Sequence, residues 1–331
     1  MLRLPAFRYH VPSSVAEAVR IKSDHGPRAS YVSGGTDLFP NMKRRQQEPE
    51  DVVQVSHLRD LLGFRREEDG RLRIGAGETL TDVRRRPEVL RDYPALSDAV
   101  ALVATPLLQN MGTIGGNVCL DTRCNYYDQS YEWRAAIDFC MKKDGDTCWV
   151  APGSPVCLAV NSSDTTPVLV ALGAEVLLSR RSGERTLPAA KLFKKDGIDY
   201  LAKDPNELLT GILLPKPDGW ASSYVKLRRR GTYDFPVLGV AASLRRDGPG
   251  GDVAEARIVL GAVASSPLEV PEAAETLTGR PLSEESIAAA AHAAWRPAKP
   301  MDNTDFLLSW RKEMVRQFVI KALRRLLPPR P

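Results

Sequence analysis

The sequence predicts an α+β protein in two parts, a larger N-terminal domain over residues 1–220 and a smaller C-terminal α/β domain over residues 221–331. Three observations predict it. The chain has 331 residues, and at roughly 100–200 residues per domain that is about two domains. Short β-type segments alternate with short helical ones from residue 7 onward. A Pro/Gly-rich stretch over 215–221 breaks the pattern before new strands and two closing helices.

The elements follow in order. Residues 7–12 read as a strand, and Ser14-Val15-Ala16-Glu17 as a capping box opening a helix. Ser30-Tyr31-Val32 is a second strand, Leu38 begins a helical turn, and Val52-Val53-Gln54-Val55 is a third strand, so residues 1–56 make a small β-α-β-α-β unit. Residues 72–76 form a strand, Thr81 or Asp82 caps a helix running towards Leu90, and residues 92–104 are helical through Leu96, Val100 and Val103. Residues 119–160 lose all period and read as an insertion. Residues 167–172 fit a helix or a strand, and 174–179 and 207–214 are strands. Beyond the break, strands cover 222–227, 239–245 and 254–264, with Gly248-Pro249-Gly250-Gly251 as a hairpin turn. In the last helix Leu307, Trp310, Met314, Phe318, Ala322 and Leu326 form the packed stripe, and Arg311, Lys312, Arg316, Lys321, Arg324 and Arg325 a solvated basic face.

Composition narrows the function. Hydrophobic residues at 43% and charged residues at 26% suit a globular chain with a real core. The net charge of +5 comes from interleaved acids and bases, and aromatics are 7%, which argues against a nucleic-acid binder. No apolar run is long enough to span a membrane, and the N-terminus lacks the apolar core of a signal peptide. A cytoplasmic protein is expected, with its five cysteines as thiols or metal ligands rather than disulfides.

Two glycine motifs carry the first chemical signal. Val32-Ser33-Gly34-Gly35-Thr36-Asp37-Leu38 joins a strand to a helix start. Glycines let the backbone approach a bulky anion, and exposed N–H groups favour phosphate. Thr113-Ile114-Gly115-Gly116-Asn117 is a second loop of this kind. Two loops suit a diphosphate held from both sides, hence a dinucleotide better than a mononucleotide. The spacing is neither that of a Rossmann fingerprint nor that of a P-loop.

The cysteines carry the second. Cys119, Cys124, Cys140, Cys148 and Cys157 all fall within 39 positions, the last four separated by 16, 8 and 9. No C-x-x-C pair points to a zinc ribbon or thioredoxin site, and the spacing misses the usual ferredoxin runs. Clustering in the least periodic stretch favours a metal or an iron–sulfur centre. The four histidines (His10, His25, His57, His292) are dispersed and receive no role. No hydrolase motif is present.

These motifs, in this order, resemble the flavin subunit of the molybdenum hydroxylases, the xanthine and carbon monoxide dehydrogenase class. That family has a Gly-Gly-[Thr/Gln]-[Asp/Ser]-Leu loop, a [Thr/Ser]-[Ile/Leu]-Gly-Gly-Asn loop, a Ser-Asp pair before a short helix, and a Lys followed by Arg and Asp. Here they are Gly34 to Leu38, Thr113 to Asn117, Ser163-Asp164, and Lys226 with Arg230 and Asp234. The resemblance implies FAD, non-covalently bound in a two-part fold of the vanillyl-alcohol-oxidase (PCMH) type, followed by a C-terminal α/β domain. It places Val32 to Leu38, Phe39 and Thr113 to Asn117 at the diphosphate, Asp164 near the ribose or adenine, Val103 and Leu209 along the flavin, and Lys226 near its ring.

One departure is informative. Residues 118–162 separate the second loop from Ser163, where most members have a short link. A cysteine-bearing insertion of this kind resembles the β subunit of 4-hydroxybenzoyl-CoA reductase. That resemblance implies a [4Fe–4S] cluster on Cys124, Cys140, Cys148 and Cys157, with Cys119 as the extra thiol. It also implies an electron-transfer role, with substrate chemistry on another chain. The implied partners are a large molybdenum subunit and a small [2Fe–2S] subunit in a dimer of heterotrimers, with a ferredoxin as electron donor. The rivals are a flavin subunit of another dehydrogenase (aldehyde, purine or N-heterocycle) and a non-redox module whose loop is clipped by zinc.

Overall fold

Strand Arg8–His10, helix Val15–His25, strand Ala29–Val32, helix Leu38–Lys43 and strand Asp51–Gln54 open the chain in a computed structural model that describes residues 2–248 and 250–327. The three strands pair in parallel with Asp51–Gln54 in the middle. Ser14 caps the first helix by accepting the Glu17 N–H (3.2 Å). The Glu17 carboxylate reaches back to the Ser13 N–H (2.7 Å) rather than to that of Ser14, so the capping box closes one residue earlier than predicted. His10 and His25, read as dispersed, meet on the buried Asp51 (2.7 and 3.1 Å). Arg8 donates to both oxygens of the same carboxylate (2.7 Å each) and holds it well below the usual carboxylate range.

The second sheet is antiparallel, in the spatial order Phe64–Arg66, Leu72–Gly75, Leu208–Leu214, Glu175–Arg180, Gly183–Pro188. Leu208–Leu214 is buried at all seven positions, as a central strand covered on both faces must be. Helix Thr165–Leu172 is buried at all eight. This is why apolar pattern alone left residues 167–172 open between helix and strand.

The third sheet, also antiparallel, runs Leu268–Glu269, Val253–Gly261, Leu238–Arg246, Trp220–Leu227. Alternate residues face opposite ways. Tyr224, Ala241 and Val259 join the core around helix Thr165–Leu172. Val225, Val240 and Leu260 pack under helices Glu284–Trp295 and Leu308–Arg324. Gly261 sits where an added Cβ would fall 2.9 Å from the Pro167 ring, so its lack of a side chain lets the helix close on the sheet. Of the hairpin turn at 248–251, Pro249 lies outside the described residues.

The structure departs from the predicted elements further along the chain as well. Thr79, not Thr81 or Asp82, caps helix Leu80–Arg85, and Pro87 starts a separate helix, Pro87–Asp92, because proline cannot continue the first. The next helix is the shorter Pro94–Ala101. The second glycine motif is not a loop: Thr113 caps a one-turn helix, Ile114–Val118. Of the predicted stripe, Ala322 and Leu326 are buried, and the last helix also buries Arg311, Val315, Val319 and Leu323, each one position along from a predicted residue. Leu307 is 76% exposed, whereas Arg311 is 1% exposed. Arg311 leaves the basic face because its guanidinium satisfies the Val237, Ala262 and Met301 carbonyls (2.7–3.3 Å).

Candidate functional site

A cavity of about 510 Å³ opens between the parallel sheet, the central sheet and the Asp164 segment, within the range of cofactor pockets. Its walls take in Val32 to Leu38, Val103, Thr113, Gly115, Gly116, Asn117, Asp164 and Leu209. The two glycine motifs therefore meet at one place. Three further predicted residues stand behind the wall. Phe39 packs with Phe7, Ile114 is fully buried in the core, and Lys226 is buried beneath Asp164.

The glycines divide their work. A Cβ on Gly34 would fall 1.8 Å from the Met111 carbonyl oxygen, so this glycine lets the two motifs pack against each other. Gly35 has φ +70°, and a Cβ there would meet the Phe39 ring at 2.6 Å. Gly115 packs on Ala76 in the same way (2.7 Å). Only at Gly116 is the space nearly open, with Thr113 Oγ1 at 3.2 Å as the sole neighbour of an added Cβ. The space is thus taken by the Met111 backbone at Gly34, by the Phe39 ring at Gly35 and by Ala76 at Gly115, and only Gly116 keeps its side-chain direction nearly open.

Side chains behind the wall fix its polar edge. Asn117 Oδ1 accepts from the Ser163 and Thr165 hydroxyls (2.7 Å each), tying the second motif to the Asp164 segment. Asp164 accepts from Tyr224 Oη and from Lys226 Nζ (2.8 Å each). Lys226 also donates to the Leu102 carbonyl (2.9 Å). Burial pushes the Asp164 carboxyl up and the Lys226 ammonium down, and their mutual attraction opposes both shifts. Arg123 bridges Asp37 and Asp128 and stacks on Phe235 (4.7 Å). Ser33 and Ser162 line the cavity with buried hydroxyls that have no hydrogen-bond partner. Such hydroxyls suit a polar ligand, and they fit the room beside Gly116 to a dinucleotide. Sequence reading missed Ser162, Tyr200, Asp121 and Arg123. Only the proximity of Ser162 to the Ser163-Asp164 pair, and of the other two flanking residues to Asn117, could have found three of them.

A second, smaller cavity lies in the insertion. Cys124, Cys140, Cys148 and Cys157 all line it, together with Tyr126, Tyr127, Lys142 and Trp149. All four thiols are free and buried. The insertion has one short helix, Tyr131–Ala136, and a small apolar cluster of its own built on Cys124, Cys140 and Cys157. Burial, reinforced by the neighbouring thiols, pushes Cys124 up to about 12 and Cys157 up to about 11. A site that disfavours isolated thiolates in this way suits a cation that shares them. The Ala159 N–H donates to Cys157 Sγ (3.5 Å). Glycines again mark close approach: a Cβ on Gly197 would lie 2.9 Å from Cys157 Sγ, and one on Gly145 2.9 Å from the Cys140 nitrogen. Cys119 is elsewhere, on the wall of the large cavity. Four soft donors around one point fit an iron–sulfur centre or another thiophilic metal.

Known proteins share this architecture. Residues 5–217 match the family described as the FAD binding domain in molybdopterin dehydrogenase, and residues 222–326 match the CO dehydrogenase flavoprotein C-terminal domain. The chain is 30% identical to the carbon monoxide dehydrogenase medium chain of Hydrogenophaga pseudoflava over 96% of both sequences. It is 31% identical to the aldehyde oxidoreductase FAD-binding subunit PaoB of Escherichia coli, over 87% of this chain and 92% of that one. A solved structure of the H. pseudoflava carbon monoxide dehydrogenase superposes with a TM-score of 0.79 at 28% identity, covering 97% of each chain. No helix among the described residues is long and apolar enough to cross a membrane. The chain belongs to the FAD-binding subunits of the molybdenum hydroxylases, and it is an oxidoreductase component that binds FAD.

Proposed function

We propose that this subunit carries a [4Fe–4S] cluster beside its FAD and serves a reductase of the 4-hydroxybenzoyl-CoA type, passing electrons to a molybdenum subunit through a [2Fe–2S] subunit. The carrying observation is the set of four buried thiols facing one cavity. Among the described residues, no three of these sulfurs lie within 4.8 Å of one another. One tetrahedral zinc with Zn–S of about 2.3 Å would need sulfurs ~3.8 Å apart. The wider spread favours a larger centre and disfavours the zinc clip.

When bound, the flavin exchanges electrons in pairs and the cluster exchanges them singly. The chain's own residues do the holding. Gly116 and the Ser33 and Ser162 hydroxyls offer an approach for the diphosphate, Val103 and Leu209 offer apolar contact, and the Asp164–Lys226 pair fixes the far wall. Cys124, Cys140, Cys148 and Cys157 hold the cluster; Cys119 does not. Substrate chemistry then belongs to the large partner subunit of a dimer of heterotrimers in the cytoplasm.

The second reading, a flavin subunit of an oxidative dehydrogenase, is favoured by the relatives themselves. Those named for carbon monoxide and for aldehydes are equally similar, at 30% and 31% identity. Anaerobic purification of the whole complex separates the readings. Flavin, iron and acid-labile sulfide are measured, and 4-hydroxybenzoyl-CoA reduction is assayed with a strong low-potential reductant. About four irons beyond those of the [2Fe–2S] subunit support the cluster, and turnover supports the reductase. Zinc in place of iron, or a full iron complement with no reduction, would sink one or the other.

A further inference from the structure

The wall between the two cavities contains an oriented ion pair. Lys142, with 6% of its side chain exposed, lines the cysteine cavity, and Asp121, with 8% exposed, lines the large cavity. The Lys142 Nζ donates to Asp121 Oδ1 (2.8 Å), Thr122 Oγ1 (2.8 Å) and the Gly197 carbonyl (2.7 Å), which uses all three of its protons. Two aromatic rings flank the cation: Tyr127 at 4.9 Å, from the cysteine side, and Tyr200 at 5.6 Å, from the flavin side. The other oxygen of Asp121 accepts from Tyr127 Oη (3.2 Å) and Gln47 Nε2 (3.1 Å). The Gly197 N–H donates to the Cys157 carbonyl (2.8 Å), so the partner of the lysine is tied to a cysteine.

We propose that Lys142 is a positioning residue for the four-cysteine centre, a fixed buried cation that raises the reduction potential of a cluster held there. This rests on the reading of Cys124, Cys140, Cys148 and Cys157 as [4Fe–4S] ligands. One electron entering the cluster adds one negative charge. A cation held in a low-dielectric wall stabilises that added charge. The pair is neutral as a whole, but its cationic residue lines the cysteine cavity and its anionic residue lines the flavin cavity. The potential at the cluster is therefore set by which end is nearer. The three donated bonds leave the ammonium no freedom to turn away, and sequence reading of the insertion assigned this lysine nothing.

The test is a redox titration of the cluster by electron paramagnetic resonance, on the whole complex purified anaerobically. Three variants are compared with the parent at the parent's midpoint potential. Lys142→Gln keeps polar contacts and removes the charge. Its oxidised-to-reduced ratio rises about tenfold, a shift of about 59 mV to lower potential for one electron. Lys142→Arg keeps the charge and stays within about twofold of the parent. Asp121→Asn unmasks the cation and shifts the ratio the opposite way. A merely structural role does not produce shifts of opposite sign. A parental midpoint in Lys142→Gln at full iron content overturns the proposal. If that variant loses its iron, Asp121→Asn decides, because an unchanged or lowered midpoint there overturns it as well. A parent complex without the additional irons refutes the cluster reading itself, a failure separable from the first by iron analysis alone.

Discussion

The two cavities meet at one wall but are built by opposite rules. The large one is room prepared in advance: about 510 Å³ walled by segments far apart in sequence, with two unpartnered hydroxyls in its lining. The small one has about 10 Å³ free and is defined by donor atoms, four sulfurs closed in by aromatic rings. An extended organic cofactor binds by shape and many weak contacts, so its site needs a scaffold of sheets and helices. A metal centre binds by a few strong bonds that supply much of the local folding energy, so an insertion with a single short helix can carry one. The difference implies that each site can be emptied without emptying the other.

The largest effect should come from the sulfurs. Cys140→Ser and Cys148→Ser, in separate variants, are expected to lose the additional irons, about four per chain, and to become protease-sensitive within residues 119–160. FAD should remain stoichiometric in both. Retained iron in both would break the assignment of Cys140 and Cys148. The converse comes next in size. Gly116→Val puts a branched side chain into the open space beside Thr113 and is expected to abolish FAD binding while iron is retained. Flavin released by acid and separated by chromatography measures it, and FAD retention would show that the diphosphate lies elsewhere. Gly35→Val is a poorer probe, because φ +70° and the Phe39 ring would strain the fold itself.

The same contrast explains what the sequence could tell. Glycine pairs and cysteine spacing are written in residue type, so residues that gather at each cavity were legible, among them Gly34, Gly116, Cys124 and Cys157. The strands were legible where apolar runs meet Gly or Pro, as at Leu208–Leu214 before Pro215. Illegible were the features made by residues far apart in sequence. The Lys142–Asp121 pair, the His10–His25–Asp51 cluster and the buried Arg311 each answer to partners that only folding supplies. A buried arginine looks like a surface one until three carbonyls need donors. The glycine motifs were found, but three of their glycines accommodate neighbouring backbone or rings rather than a ligand.

A smaller effect should separate the sites through stability. Lys226→Met removes the cation from Asp164 and leaves a buried carboxylate with only the Tyr224 hydroxyl. Losing one partner of such a pair costs about 3 kcal/mol, which is on the order of 10 °C in melting temperature. The pH dependence has a definite sign. Burial already raises the Asp164 carboxyl above its ordinary value, and the variant removes the attraction that opposed it. In the unfolded chain the group ionises near pH 4. The stability deficit of the variant therefore grows as pH rises from about 4 through the raised folded value and levels off above it. FAD affinity should fall along with stability, while the iron content stays unchanged. Thermal unfolding of both proteins across that pH range checks it, and a deficit that shrinks with rising pH would refute the account.

The smallest effect is expected at Cys119, where the two sites come closest in sequence. It lies two residues after Asn117 and five before Cys124, yet it lines only the flavin cavity. Its side chain packs against the main core, and burial pushes its thiol up, so it is neutral and behaves as a small apolar group. Its carbonyl, not its sulfur, takes the Tyr200 hydroxyl (3.3 Å). Cys119→Ser replaces a weakly polar thiol with a hydroxyl at a cavity wall, a change of about 1 kcal/mol or less. Iron and sulfide should match the parent complex, protection of residues 119–160 should persist, and FAD affinity should shift no more than a few-fold. Loss of iron would move Cys119 into the ligand set and displace one of the four cysteines now assigned to it. Iron and flavin analysis of this one variant therefore tests the boundary between the two cavities from both sides.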